Sequence, residues 1–403
     1  MLKKKYLIYC LDLIFILLII IGGLNVLEKR KYGDLIDSDE VSWIFAGYYF
    51  NLYFLQLGFF HPDWKDYEAF DHPPLMKYIV GGALYLKGHT IDSIEPKRLL
   101  NNMPKDKARV YFELIKDEIP DPVVMIPWTR SVIFGFALSS LLLIYIFVRT
   151  SYGILPALIS TSLIMFHPIF NKISAWILAE QVLLFFFTLF LLCCAFYLKT
   201  KKNTYIVIAL AISSLAFLTK LNGALLVLVL ITIFLFKNKF AISKQDWKVW
   251  MIGSVVFLLI ALLLNPTFIN NGIKGIVKMV EVRLSAFRIF QETFKEDALL
   301  SVSDRFVTTT KMIFFEYSLF YHFIKIPVEL IMFGLGMGYA LIKKDPLLLS
   351  MFAFLVVIPI SILPYNCIKY YYWIFPFTHI IAGLSLNVFK EVWNRGLRTL
   401  KAR

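Results

Sequence analysis

The feature that most constrains this chain is a recurrence of apolar runs long enough to cross a bilayer. A spanning helix needs about 20 consecutive, mostly apolar residues. The first run, Tyr6 to Leu24, follows Lys3, Lys4 and Lys5. No small-x-small cleavage site follows it, so it reads as a retained signal anchor with a cytoplasmic start. Nine more candidates lie near Pro127–Val148, Tyr152–Phe170, Ser174–Leu198, Tyr205–Thr219, Gly223–Phe236, Val249–Leu264, Ile324–Ile342, Leu347–Pro364 and Tyr370–Phe389. The 403 residues are 59% hydrophobic and only 17% charged. That excludes an ordinary soluble domain, with about a quarter charged, and a disordered chain. The net charge of +14 points to sidedness in a membrane and not to nucleic acid.

Two further stretches are ambiguous. Val41–Phe60 is crowded with aromatics, and Leu75–Leu86 is short. If neither spans, 18 cations fall on cytoplasmic ends, in the segments around Lys3, Arg149, Lys199, Lys237, Lys343 and Lys390. The short outer turns then carry one lysine each: Lys172, Lys220 and Lys369. If only one stretch spanned, the bias would reverse; if both did, parity would survive. Aromatic richness and shortness fit helices in the interface. The expectation is an all-α, polytopic, single-domain membrane protein of about 10 spans (range 10–12) over residues 1–403, both termini cytoplasmic. Two extracytoplasmic loops cover residues 25–126 and 266–323. In the second, Ile273, Ile276, Val277, Val280, Leu284 and Phe287 recur at helical spacing, predicting an amphipathic surface helix. The four cysteines sit in apolar runs and read as small buried hydrophobes.

Candidate chemistry gathers on the outer side. Lys172, Lys220 and Lys369, with Arg130 near the outer end of the second span, can be read singly as snorkelling anchors. Together they form a cationic ring suited to a phosphate. The acidic counterpart is Asp37-Ser38-Asp39-Glu40 after the first span. Glu180 lies inside the fourth span, where a lone carboxylate is costly and should pair with a lysine or face a wet cavity. Asp12 and Glu329 are further intramembrane acids; Asp12 reads as a packing or pairing residue. Phe70-Asp71-His72-Pro73-Pro74-Leu75-Met76-Lys77 is a rigid elbow into a helix, because prolines start helices but cannot continue them. It sets His72 and Lys77 beside a helix start, where an anion is welcome.

The Asp39-Glu40 pair, the His-Pro-Pro-Leu elbow about thirty residues on, and Arg130 opening the next span resemble the protein O-mannosyltransferases, within the GT-C membrane glycosyltransferases. Glu180 after Ser174-Ala175-Trp176, Lys220 before Asn222-Gly223, and Lys369-Tyr370 through Pro376 resemble weaker family segments. The chain departs from the pattern in a polar insertion, Lys87 to Pro122, and in Lys at the late Arg position. The related aminoarabinose transferases carry Lys-Pro-Pro-Leu, unlike His72.

The resemblance implies a polyprenyl-phosphate sugar donor, mannose by default, and a protein Ser/Thr or glycolipid acceptor hydroxyl, with inversion. It implies Asp39 as base and Glu40 as orienter. Lys220, Lys369 and Arg130 would bind the phosphate, with His72 and Lys77 supporting. No cofactor is required on that reading. Asp37 and Asp39 could alternatively hold magnesium or manganese. The rival class is a transporter or lipid flippase. Against it stand the lack of repeat symmetry and the concentration of polar residues at one face.

Overall fold

The computed structural model describes residues 2–32, 38–102, 117–238, 243–362, 366–388, 390 and 391. Asp37 and the middle of the polar insertion lie outside the described residues. All ten predicted apolar runs contain helices. They are α1 (Leu2–Arg30), then, after two loop helices α2 (Ser38–Ala46) and α3 (Leu75–Tyr85) and the insertion helix α4 (Glu95–Asn102), α5 (Pro122–Tyr152), α6 (Ile154–Phe166), α7 (Ala179–Thr200), α8 (Thr204–Thr219), α9 (Leu225–Lys237) and α10 (Lys244–Leu264). The loop helix α11 (Ile273–Thr293) precedes α12 (Val328–Lys343), α13 (Pro346–Ile362) and α14 (Phe375–Gly383). Helices α1, α5, α7 and α10 are long and apolar enough to cross a membrane unaided. The protein is an all-α, polytopic membrane protein.

Proline and polar caps punctuate the spans. His167 accepts from the Ile169 amide across Pro168, and Asn265 accepts from the Thr267 amide across Pro266. Each starts a short helix directly after a span, as expected where proline occupies a first turn. Helix α7 is the hub: Phe187, Phe190, Leu191 and Cys194 are buried. At one end of the bundle Asp12 binds Arg149 at 2.9 Å, and Lys343 binds Glu391 at 2.7 Å. Asp12 is thus paired, as its place in hydrocarbon requires.

Both large loops gather at the opposite end. Phe70 of the first loop packs with Phe268, Met279 and Val282 of the second, against Phe217 of α8 and Leu221 of the α8–α9 turn. Asn270 donates to the Phe59 carbonyl at 2.7 Å. Helix α11 forms where predicted, but its apolar stripe points away from the protein. Ile273, Val277 and Leu284 are exposed, while Gly275, Met279, Val282 and Ala286 face inward. An unpartnered apolar stripe of this kind suits a lipid interface. Glu329 is fully buried and accepts from Ser318 Oγ at 2.6 Å and the Leu319 amide at 2.7 Å. It therefore ties the end of the second loop to α12.

Close helix approach depends on glycine. A Cβ on Gly336 would lie 1.8 Å from the Ile381 carbonyl oxygen, whereas nothing lies within 4 Å of one on Gly338. Gly336→Val should cost at least about 1–3 kcal/mol by overpacking, and Gly338→Ala should be tolerated. Thermal unfolding of both variants in detergent checks this contrast.

Candidate functional site

The two ambiguous stretches become walls of the site. Residues 41–52 are mostly buried: Val41, Ile44, Ala46, Tyr49 and Leu52 have no exposed surface. Helix α2 gives way to a wider turn at Asn51–Leu55, where Asn51 donates to the Ile91 carbonyl at 2.8 Å. His72 is extended, φ −140 and ψ 150, as a residue before proline prefers. Pro73 and Pro74 then launch α3.

The acidic pair splits. Asp39, in the first turn of α2, meets Lys369 from the turn before α14, with Oδ2 and Nζ 2.5 Å apart. The Asp39 side chain is 41% exposed, so it opens onto solvent-accessible space. Burial works against its charge, but Lys369 and, further off, Lys220 outweigh it and hold the carboxyl below its usual range. Glu40 points the other way and is fully buried. It accepts from Arg130 Nε at 2.9 Å and Nη2 at 2.8 Å, and from the Ile177 amide at 3.0 Å. Arg130 also reaches the Arg30 carbonyl at 3.3 Å.

Arg130 and Glu40 are thus both fully buried and held in one ion pair, apart from the exposed face of Asp39. They pin the start of α2 to α1, α5 and the α6–α7 connection. A fork-to-fork pair fixes direction as well as distance, so its chemical effect is to aim Asp39.

Lys77 is buried as well. Its ammonium has no exposed surface. It donates to the Glu68 and Ala69 carbonyls at 2.8 and 3.0 Å and sits 4.6 Å from the Tyr49 ring centre. It caps the short helix Tyr67–Asp71 and is spent on that.

Lys220 contacts Glu180 at 2.5 Å and lies 5.7 Å from the ring centre of Tyr370, the neighbour of Lys369. The lysine partner expected for Glu180 is therefore Lys220. Lys172 is exposed, 6.0 Å from the Tyr317 ring, and is not drawn into this group. The His72 ring lies 4.8 Å from Trp43, and its Nδ1 is buried without a hydrogen-bond partner. Burial, then the charges of Arg283, Lys220 and Lys97 against that of Asp71, keep this imidazole well below its usual pKa. His72 is therefore neutral at pH 7, not a cation.

Asp71 is the residue that sequence reasoning quoted without a role. It sits between Arg283 of α11, at 3.0 Å, and Lys97 of α4, at 3.5 Å. Burial opposes its charge, and the cations around it, Arg283 first and then Lys97, overcome that and hold the carboxyl below its usual range. Asp71 and Asp39 feel each other's charge. Its place beside His72-Pro73 was a usable signal. Arg283 gave none, because it is one of several cations on an amphipathic helix.

A family model described as dolichyl-phosphate-mannose-protein mannosyltransferase matches residues 129–264. That third of the chain contains Arg130, Glu180 and Lys220 and excludes Asp39 and the His-Pro-Pro-Leu elbow. The structure is similar to that of ArnT from Cupriavidus metallidurans bound to undecaprenyl phosphate, with a TM-score of 0.56 and 14% identity over 93% of this chain and 60% of that one. At that identity the likeness is one of fold: the chain shares the helical membrane fold of this transferase. It is also similar to the Archaeoglobus fulgidus oligosaccharyltransferase tethered with an acceptor peptide, at TM-score 0.51 and 12% identity over 92% and 49% of the two chains. The chain thus spans about half to three fifths of the length of those proteins. No curated protein matches it.

Proposed function

We propose that this chain transfers a hexose, mannose by family default, from a polyprenyl-phosphate donor to an acceptor hydroxyl on a protein or glycolipid. The reaction takes place at the extracytoplasmic surface of the cell membrane, and both termini are cytoplasmic. The observation that carries the reading is the 2.5 Å contact between Asp39 and Lys369 at the end where both loops meet. A base and a phosphate-binding cation stand in contact, each masking the other.

The donor phosphate competes with Asp39 for Lys369. As Lys369 turns to the phosphate, Asp39 becomes available to a hydroxyl. The acceptor oxygen then attacks the anomeric carbon, its proton goes to Asp39, and the carbon–oxygen bond to phosphate breaks on the opposite face. The polyprenyl phosphate leaves with the bonding electrons, and the anomeric centre inverts. Lys369 and Lys220 stabilise the charge that accumulates there. The steps as proposed call on no cofactor. Asp37, the second carboxylate of the metal alternative, lies outside the described residues.

The test is a transfer assay in proteoliposomes with polyprenyl phosphates carrying different labelled hexoses, with and without excess chelator. Label should move from lipid to an acceptor with inverted configuration, chelator notwithstanding. Label that only changes leaflet makes the chain a flippase, and loss of transfer in chelator makes it metal-dependent. Lys369→Met separates cation from base. Losing the contacting ammonium raises the Asp39 pKa, so the acid limb of the rate profile should move to higher pH and donor affinity should fall.

A further inference from the structure

The polar insertion, which the family resemblance does not account for, supplies a residue to the site. Helix α4 carries two adjacent cations facing different ways. Lys97, only 1% exposed, points inward to Asp71 Oδ2 at 3.5 Å and lies 5.9 Å from the Trp43 ring centre. Arg98 is held by carboxylates of the preceding loop, among them Asp63 Oδ1 at 3.2 Å and Glu68 Oε2 at 3.6 Å, and by Asp66 and Glu95 in contact. Asp63 in turn accepts from Tyr48 at 2.6 Å. Arg98 therefore bolts α4 to the first loop, and that bolt keeps Lys97 buried. Meanwhile Asp71 Oδ1 takes Arg283, 3.0 Å away on α11 of the second loop. One carboxylate thus divides its oxygens between two cations from two loops.

We propose that Lys97 is a positioning residue that fixes the Asp71 carboxylate so that its other oxygen presents to Arg283, coupling the insertion to the closure of the second loop over the site. A buried lysine is costly unless paired, and its retention beside Asp71 is explained by this task. Without Lys97, Asp71 rotates to share both oxygens with Arg283, and α11 loses its fixed register above His72 and Asp39. Residue 97 would act on α11 without contacting it.

The role in transfer rests on the function proposed above, but the coupling is measurable without it. Hydrogen exchange on full-length protein in nanodiscs should show faster exchange across 273–293 in Lys97→Met, with α5 and α7 unchanged. Lys97→Arg should restore protection, and Lys97→Met should add nothing in an Asp71→Asn background. In the transfer assay, Lys97→Met should lower kcat by roughly 10- to 100-fold, the scale of a small misplacement, with donor KM within about twofold. Unchanged exchange over 273–293 in Lys97→Met overturns the coupling. So does faster exchange in α5 and α7 as well, which would mean that Lys97 only supports the fold. If exchange changes as stated but wild type transfers no sugar, the coupling stands and the functional reading fails.

Discussion

Asp39→Asn should abolish measurable transfer, a loss of about 10²–10⁴-fold, while the protein folds, reaches the membrane and still binds polyprenyl phosphate. Binding should tighten, because an amide competes with the donor phosphate for Lys369 less strongly than the carboxylate at 2.5 Å does. An account in which Asp39 only anchors Lys369 predicts the reverse, weaker binding with partial activity. In wild type the Lys369 and Lys220 charges hold Asp39 below its ordinary pKa of about 3.9. The base is therefore ionised throughout the neutral range. The stabilisation from its contact with Lys369 is complete above that ordinary value and is lost only as pH falls through the depressed one. Turnover against pH, together with titration of a fluorescent polyprenyl phosphate, measures both quantities.

The second large effect falls on folding. Arg130 and Glu40 are both fully buried and bound at 2.8 and 2.9 Å. Arg130→Met leaves a buried carboxylate without its guanidinium, and breaking one side of such a pair costs about 3–5 kcal/mol. Little folded protein should be recovered, by size-exclusion profile and by unfolding temperature. Adding Glu40→Leu should restore much of the folded yield, since the stranded charge is then gone. Transfer should remain low in the double variant, because α2 is no longer tethered in the direction that aims Asp39. A phosphate-binding Arg130 would behave differently, with normal yield and weakened donor binding.

Helices and loops were legible for a simple reason: hydropathy and the distribution of lysine report on lipid and water directly. The ten apolar runs, the amphipathic stripe from Ile273 and the pairing of Asp12 all follow from that. The Asp39-Glu40 and His-Pro-Pro-Leu segments both lie at the end of the molecule where the two loops gather. What one-dimensional reading misses is how charges are shared. Arg130, Lys77 and Lys369 are equivalent cations in a sequence. In the fold, one is bound to Glu40, one to two carbonyls, and one to Asp39. The partners are 90, 8 to 9 and 330 residues away, and no local periodicity encodes such distances. Arg283 and Lys97 were missed for the same reason, since each looks like a solvated charge until the two loops dock.

The exchange of Lys369 between Asp39 and a lipid phosphate is open to direct observation. A cryo-electron microscopy reconstruction in nanodiscs, saturated with polyprenyl phosphate, should place the phosphate in contact with Lys369, near Lys220, with the Asp39 carboxylate turned away from the ammonium. A phosphate bound elsewhere, with the Asp39–Lys369 contact intact, would contradict the account.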